Sequence, residues 1–146
     1  MRVLIDSDVV IAAMAGTEDQ SAASQEVMDA LAHGRFTGLT SPILMANIMF
    51  VLSNKWRISR KHVDRDRVVK AMNSLLPLFT MLPVSNADFY ASFASEFVDL
   101  EDGVQHFAAM HATGVDAIVT CNTKDFAVSQ IPVMEPSAFI GGDLVC

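Results

Sequence analysis

Met1-Arg2-Val3-Leu4-Ile5-Asp6-Ser7-Asp8 opens the chain. Val3-Leu4-Ile5 is a short, unbroken run of β-branched and aliphatic residues. Such a run reads as a strand buried on both faces, the kind found inside a parallel sheet. It stops abruptly at a carboxylate, and desolvating a carboxylate is costly unless a partner or a cation meets it. A second stretch repeats the arrangement: Ala117-Ile118-Val119 runs into Thr120-Cys121-Asn122-Thr123-Lys124-Asp125-Phe126. Two buried strands, each running into polar and acidic residues, set the frame for the rest of the chain.

Working outward, short apolar strands alternate with amphipathic stretches. Residues 9–15 form a short helix stopped by Gly16. In residues 21–32, Ala23, Val27, Ala30 and Leu31 recur at helical spacing, with Gly34 as the C-terminal cap. Residues 36–40 are a strand. Ser41-Pro42 starts a helix to about residue 54, with Ser as N-cap and Pro where its missing N–H costs nothing. A polar link at residues 56–59 leads to a helix over 61–76, and a strand covers 78–84. Ser85 or Asn86 caps a helix on which Phe89, Phe93 and Phe97 form a stripe for the core. A helix from about Asp102 to Thr113 buries Val104, Phe107, Ala108 and His111, leaving His106 exposed beside the polar cluster. Residues 131–134 form a last strand, and Pro136 opens a final helical turn. The order implies an α/β protein, a three-layer α/β/α sandwich with a central, mainly parallel sheet, in one domain over residues 1–146.

Composition narrows the function. The 146 residues are 51% hydrophobic and 18% charged, too apolar to remain disordered. Apolar runs such as 42–49 and 108–110 fall far short of the ~20 residues that a bilayer requires. The two cysteines, Cys121 and Cys146, make no disulfide framework and no zinc spacing. The first acid comes too early for a signal peptide, so a cytoplasmic setting is expected. A net charge of −7 argues against a broad basic nucleic-acid footprint, yet leaves room for a carboxylate-lined site.

In open α/β sheets the site lies beyond the carboxyl ends of the strands. Asp6 and Asp8 fall there, as do Asn122 and Asp125. Asp99-Leu100-Glu101-Asp102 adds acids at a helix start, where the dipole alone would favour them. Basic residues are scarce at the strand ends, where only Arg2 and Lys124 occur. Converging acids without basic partners repel one another, and a hard divalent cation, Mg²⁺ or Mn²⁺, resolves this. Such an ion activates water and stabilises displacement at a phosphodiester.

Asp6-Ser7-Asp8-Val9 looks like the DxDx[T/V] motif of haloacid-dehalogenase phosphohydrolases, with Thr40 as a candidate second-strand hydroxyl. The acidic cluster, however, precedes a helix, and no Lys is suitably placed before it. A fuller resemblance covers nearly the whole chain. Leu4-Ile5-Asp6-Ser7-Asp8-Val9-Val10, Asp99-Leu100-Glu101-Asp102-Gly103-Val104-Gln105 and Asp116 through Phe126 resemble, in order, the three blocks of the PIN-domain family. Ile131-Pro132-Val133-Met134-Glu135-Pro136 resembles that family's tail. The resemblance implies an α/β/α sandwich and a metal-dependent ribonuclease, with many members being VapC-type toxins held by an antitoxin. It implies Asp6, Asp102 and Asp125 as catalytic, metal-site acids, with Asp99 as an additional acid. Asn122 would stand beside the metal, Thr120 would orient water or a carboxylate, and Asp8 takes a position usually filled by Asn. The family's usual Glu on the helix after the second strand is replaced by Asn47. Asn47 lies on that helix's apolar stripe and is read either as a buried Asn bonded to backbone or as a neutral replacement for the Glu. A weakened RNA- or protein-binding module is therefore the alternative to an active nuclease.

Trp56 with Arg57, Arg60 and Lys61 is the best basic-aromatic patch, a candidate RNA contact or a solvated helix end. The low charged fraction also suits a homodimer or antitoxin interface.

Overall fold

The computed structural model describes residues 1–16 and 18–142, with the side chains of 18–20 left aside. Cys146 lies outside the described residues. The elements in chain order are β1 (Arg2–Ile5), α1 (Ser7–Ala15), α2 (Glu18–Ala32), β2 (Thr37–Thr40), α3 (Pro42–Lys55), β3 (Arg57–Ser59), β4 (His62–Val63) and α4 (Arg65–Leu75). They continue with β5 (Phe79–Met81), α5 (Asn86–Phe93), α6 (Leu100–His111), β6 (Ala117–Val119), β7 (Val133–Met134) and α7 (Pro136–Gly141). A five-stranded sheet runs β5-β2-β1-β6-β7, every pairing parallel. Helices cover both faces, so the expected sandwich is present. No helix among the described residues is long and apolar enough to cross a membrane.

The central strand shows why Val3-Leu4-Ile5 is apolar throughout. Val3 and Ile5 enter the core beneath α1, α2 and α7, together with Val9, Val27 and Phe139. Leu4 points the other way, into a second core with Leu39, Leu44, Phe97 and Ile118. A strand alternates its side chains between faces, so both sets must be apolar. Each such side chain contributes about 1.5–3 kcal/mol when taken from water. After β1 the chain moves to β2 on one side, and β6 later pairs on the other. The change of direction makes a crevice at the carboxyl ends of β1 and β6.

Several local features match their sequence signals. Ser41 Oγ accepts from the Leu44 N–H at 3.1 Å, capping α3, and Gly16 closes α1. Gly34 adopts φ 68°, the left-handed conformation that follows a helix end.

Other expectations are corrected. The polar link at 56–59 is instead β3, and the start of the expected 61–76 helix is β4. The two form an antiparallel hairpin, and Asp64 then caps α4 by accepting from the Arg67 N–H at 3.1 Å. The expected strand over 78–84 shortens to β5. The helix starting at Asp102 starts at Leu100 instead, capped by Asp99.

The phenylalanine stripe fails because α5 ends at Phe93, so Phe97 lies beyond it. Phe97 is buried, whereas Phe89 and Phe93 are 40% and 59% exposed. Asp88 and Ser92 occupy the inner face instead, drawn in by hydrogen bonds. Asp88 takes the Ser85 N–H at 2.7 Å and sits 2.6 Å from His111 Nδ1, and Ser92 Oγ donates to the Leu100 carbonyl at 2.8 Å. The two histidines exchange roles for the same reason. His111 is exposed and reaches Asp88 from outside, while His106 is 1% exposed, its ring 5.0 Å from that of Phe97. Burial acts to raise Asp88, but the Ser85 N–H and His111 outweigh it and leave the carboxyl below its ordinary range.

Gly103 lets α5 and α6 approach: a Cβ there would lie 2.3 Å from Ser92 Oγ and 3.1 Å from Phe97 Cβ. Gly103→Ala gains ~1 kcal/mol of helix propensity. It also forces apart a buried, hydrogen-bonded contact, which costs about 1–3 kcal/mol. The steric term wins, and thermal unfolding of the variant shows a lowered midpoint.

Candidate functional site

The site is built where β1 and β6 end. Asp6 follows β1 and caps α1, its Oδ1 accepting from the Ser7 N–H at 2.6 Å. Thr120 follows β6 and is fully buried. Its Oγ1 lies 2.9 Å from Asp6 Oδ2 and 3.1 Å from Asp8 Oδ2, and it accepts from the Asn122 N–H at 3.1 Å. Asp8, on the first turn of α1, also takes the Cys121 N–H at 3.0 Å. Thus Asp8 ties α1 to the loop after β6.

Proton counting exposes the tension in this arrangement. A hydroxyl has one hydrogen, and Thr120 Oγ1 faces two carboxylates. With both ionised, one of the two close oxygen pairs has no proton between it. Burial, reinforced by Asp8, raises the Asp6 carboxyl to about 7. Burial also raises Asp8, with Asp125 adding to it.

The other walls come from α6 and the loop after β6. Asp99 accepts from the N–H groups of Glu101 and Asp102 at 2.9 and 3.3 Å, so it serves as the α6 cap. Asp102 is half-buried, and burial raises its carboxyl to about 8, helped by Asp6, Asp99, Asp125 and Glu101. Every charge acting on Asp102 is another carboxylate. Asn122 donates to Asp125 Oδ2 across the turn at Thr123–Phe126. Among the described residues the only acid–base side-chain pair within 4.0 Å is His111–Asp88, and neither is one of these acids.

Asn47 is half-buried and bonds to a side chain, not to backbone: its Nδ2 donates to Ser7 Oγ at 2.9 Å. Ser7 Oγ lies 3.4 Å from Asp6 Oδ1, so Asn47 acts on the carboxylate only through the serine. Sequence reasoning gave Ser7 no role, because its partner lies 40 residues away. Gln105 was also missed. It is buried one turn beyond Asp102 and takes the Ser41 hydroxyl at 2.6 Å, joining α6 to the start of α3. Arg57, Arg60 and Lys61 are not part of this cluster and lie exposed on the hairpin at the far end of α3. Thr40, the hydroxyl that the phosphohydrolase pattern would use, is sealed at 1% exposure with its Oγ1 unpartnered.

The donor set is all oxygen, negatively overloaded and without basic partners, which fits a hard cation. Among the described residues, no three His, Cys, Asp or Glu side chains could close around an ion as they stand.

Comparison with known proteins agrees with the fold. A family model described as PIN domain matches residues 2–124. The fold is similar to a chain in the structure of VapBC2 from Rickettsia felis bound to a DNA fragment from their promoter, at 14% identity and TM-score 0.65, covering 92% of this chain and 98% of that one. PAE2754 from Pyrobaculum aerophilum is similar at 14% identity and TM-score 0.67, covering 96% of each chain. FitAcB from Neisseria gonorrhoeae is similar at 17% identity and TM-score 0.65, covering 92% of this chain and 97% of that one. No curated protein matches the sequence.

Proposed function

Because this chain belongs to the PIN domain family, we propose that it is a Mg²⁺- or Mn²⁺-dependent endoribonuclease, the toxin of a toxin–antitoxin pair, acting in the cytoplasm. One observation carries the reading: carboxylates from α1, α6 and the ends of β1 and β6 meet with only one another's charges for company. Asp6, Asp102 and Asp125 would hold the cation, with Asp99 as an additional acid. A bound divalent ion lowers the pKa of water and offsets charge on a phosphodiester. Thr120 holds Asp6 and Asp8 in place through its hydroxyl, and Asn122 orients Asp125. Asn47 holds Ser7 beside Asp6, a neutral donor supporting the carboxylate.

The reading extends to a homodimer and to an antitoxin partner. It is supported by an apolar groove of about 370 Å³ beside the site, lined by Ile43, Phe89, Phe93, Leu100, Glu101 and Val104.

The test is cleavage of a mixed-sequence RNA with and without metal. Cleavage is expected with millimolar Mn²⁺ or Mg²⁺ and lost in excess chelator. Undiminished cleavage in chelator would overturn the metal role. Asn47, which supplies an amide and no charge, favours the second reading, a weakened RNA-binding module. RNA retained but uncut at millimolar Mn²⁺ would identify it.

A further inference from the structure

Charge is distributed unevenly along the chain. Residues 55–70 carry seven of the ten basic residues against two acids, a net +5. The other 130 residues carry three basic residues against fifteen acids, a net −12. The basic stretch is the end of α3, the β3–β4 hairpin and the first half of α4. From 57 to 62 every residue is exposed, including Ile58 at 73%. Neither acid within it forms an ion pair among the described residues: Asp64 is turned to the Arg67 backbone.

The hairpin holds these charges in a fixed pattern. Arg57 donates from Nη2 to Asn54 Oδ1 at 2.8 Å and from Nη1 to the Arg60 carbonyl at 3.0 Å. Two of its five N–H groups are so used, and three remain. Ser59 Oγ accepts from the Lys61 N–H at 3.4 Å and lies 3.3 Å from His62 Nδ1, which ties the turn that presents Arg60 and Lys61. At the base, Arg67 stacks 4.3 Å above the Trp56 ring. Lys55 donates to the Ala15 carbonyl, joining the ends of α3 and α1. The arm is anchored and its tip is free.

We infer that this hairpin is a holding site for the phosphate backbone of RNA, separate from the carboxylate cluster. Asn47 and Lys55 are eight residues apart on one helix, so the arm begins about 12 Å along α3 from the site. A strand of RNA is repelled by the unneutralised carboxylates, and the arm supplies the attraction that the cluster lacks. The Trp56 face is taken by Arg67, so no open aromatic platform for a base exists there. The contact is to phosphates, strong in low salt and indifferent to sequence. The inference rests on RNA being the substrate, but its test is binding, not cleavage.

Binding of a fluorescein-labelled oligo(U) of roughly 20 nucleotides is followed by anisotropy across a salt series, in chelator so that no cleavage intrudes. The variant combines Arg57→Gln, Arg60→Gln and Lys61→Gln. Three lost contacts at ~0.7 each lower the slope of log K against log salt by about 2, with affinity down about tenfold in low salt. Arg60→Gln with Lys61→Gln, which leaves the Arg57 bonds intact, lowers the slope by about 1.4 and guards against a misfolded triple variant. Arg35→Gln, outside the arm, changes neither quantity. No binding by the unaltered protein, or equal affinity and slope in all forms, overturns the inference. Displacement by polyglutamate as effective as by unlabelled RNA also overturns it, in favour of an acidic protein. Arm-dependent RNA binding without cleavage in Mn²⁺ would sink the nuclease reading alone. Cleavage with an unchanged KM in the triple variant would sink the arm alone.

Discussion

Asp6→Asn leaves the protein folded and lowers metal-dependent RNA cleavage by at least about 10³-fold, a loss of roughly 4 kcal/mol of transition-state stabilisation. The geometry explains why the fold survives. The amide keeps an oxygen for the Ser7 N–H, and Thr120 can still donate to Asp8. Above about pH 7, where Asp6 is ionised, a buried negative charge and its repulsion with Asp8 disappear and the unfolding midpoint in chelator rises; below it the amide replaces a neutral acid and the midpoint holds. Loss of activity with undiminished stability separates a reacting group from a structural one. Cleavage at the unaltered rate would end the case for Asp6.

Stability of the metal-free protein falls as pH rises from about 4 to about 8.5. Asp6 and Asp102 keep their protons in the folded chain up to about 7 and about 8. The unfolded chain loses its protons near the ordinary value of 3.8. The folded state therefore binds more protons in the interval. Its advantage is full below the unfolded value and is lost as pH rises through the folded ones. Asp88 works in the opposite sense and limits stability only at acid pH, since its carboxyl lies below the ordinary range. Asp6 alone, raised from 3.8 to about 7, accounts for a loss of about 4 kcal/mol, and Asp102, discounted for its partial exposure, adds to it, so the midpoint falls by roughly 10 °C. Millimolar Mg²⁺ or Mn²⁺ should restore most of it above pH 7, because a cation binding only the folded state adds stability by mass action. A flat midpoint across this range, with metal having no effect, would contradict the electrostatic picture of the site.

Much of this was legible where the signal is local. A buried strand ending at an acid needs only the chain neighbours of Asp6, and the Ser41-Pro42 helix start needs only four residues. What failed depended on partners distant in sequence. The Phe89, Phe93 and Phe97 spacing is helical, but the contact of Ser92 with Gly103 decides which face of α5 turns inward. His106 and His111 lie on one helix, and only the position of Asp88 shows which is outside. The hairpin escaped notice because Arg57-Ile58-Ser59 lacks the apolar alternation of a half-buried strand, both its faces being exposed. Of the site, the acids were visible as types at strand ends, whereas the Asn47–Ser7 bond and the Gln105–Ser41 bond join distant segments and leave no pattern to read.

The pairing of Asp6 with Thr120 spans 114 residues. Non-local contacts of that order form late, after shorter loops have closed. During synthesis Asp6 emerges 114 residues before Thr120, the opposite wall of the crevice. A nascent or truncated chain that ends before Thr120 thus has no enclosed cluster. On the proposed nuclease reading, the long span from Asp6 to Thr120 would act as a timing device: the site stays open until both of its walls have been made.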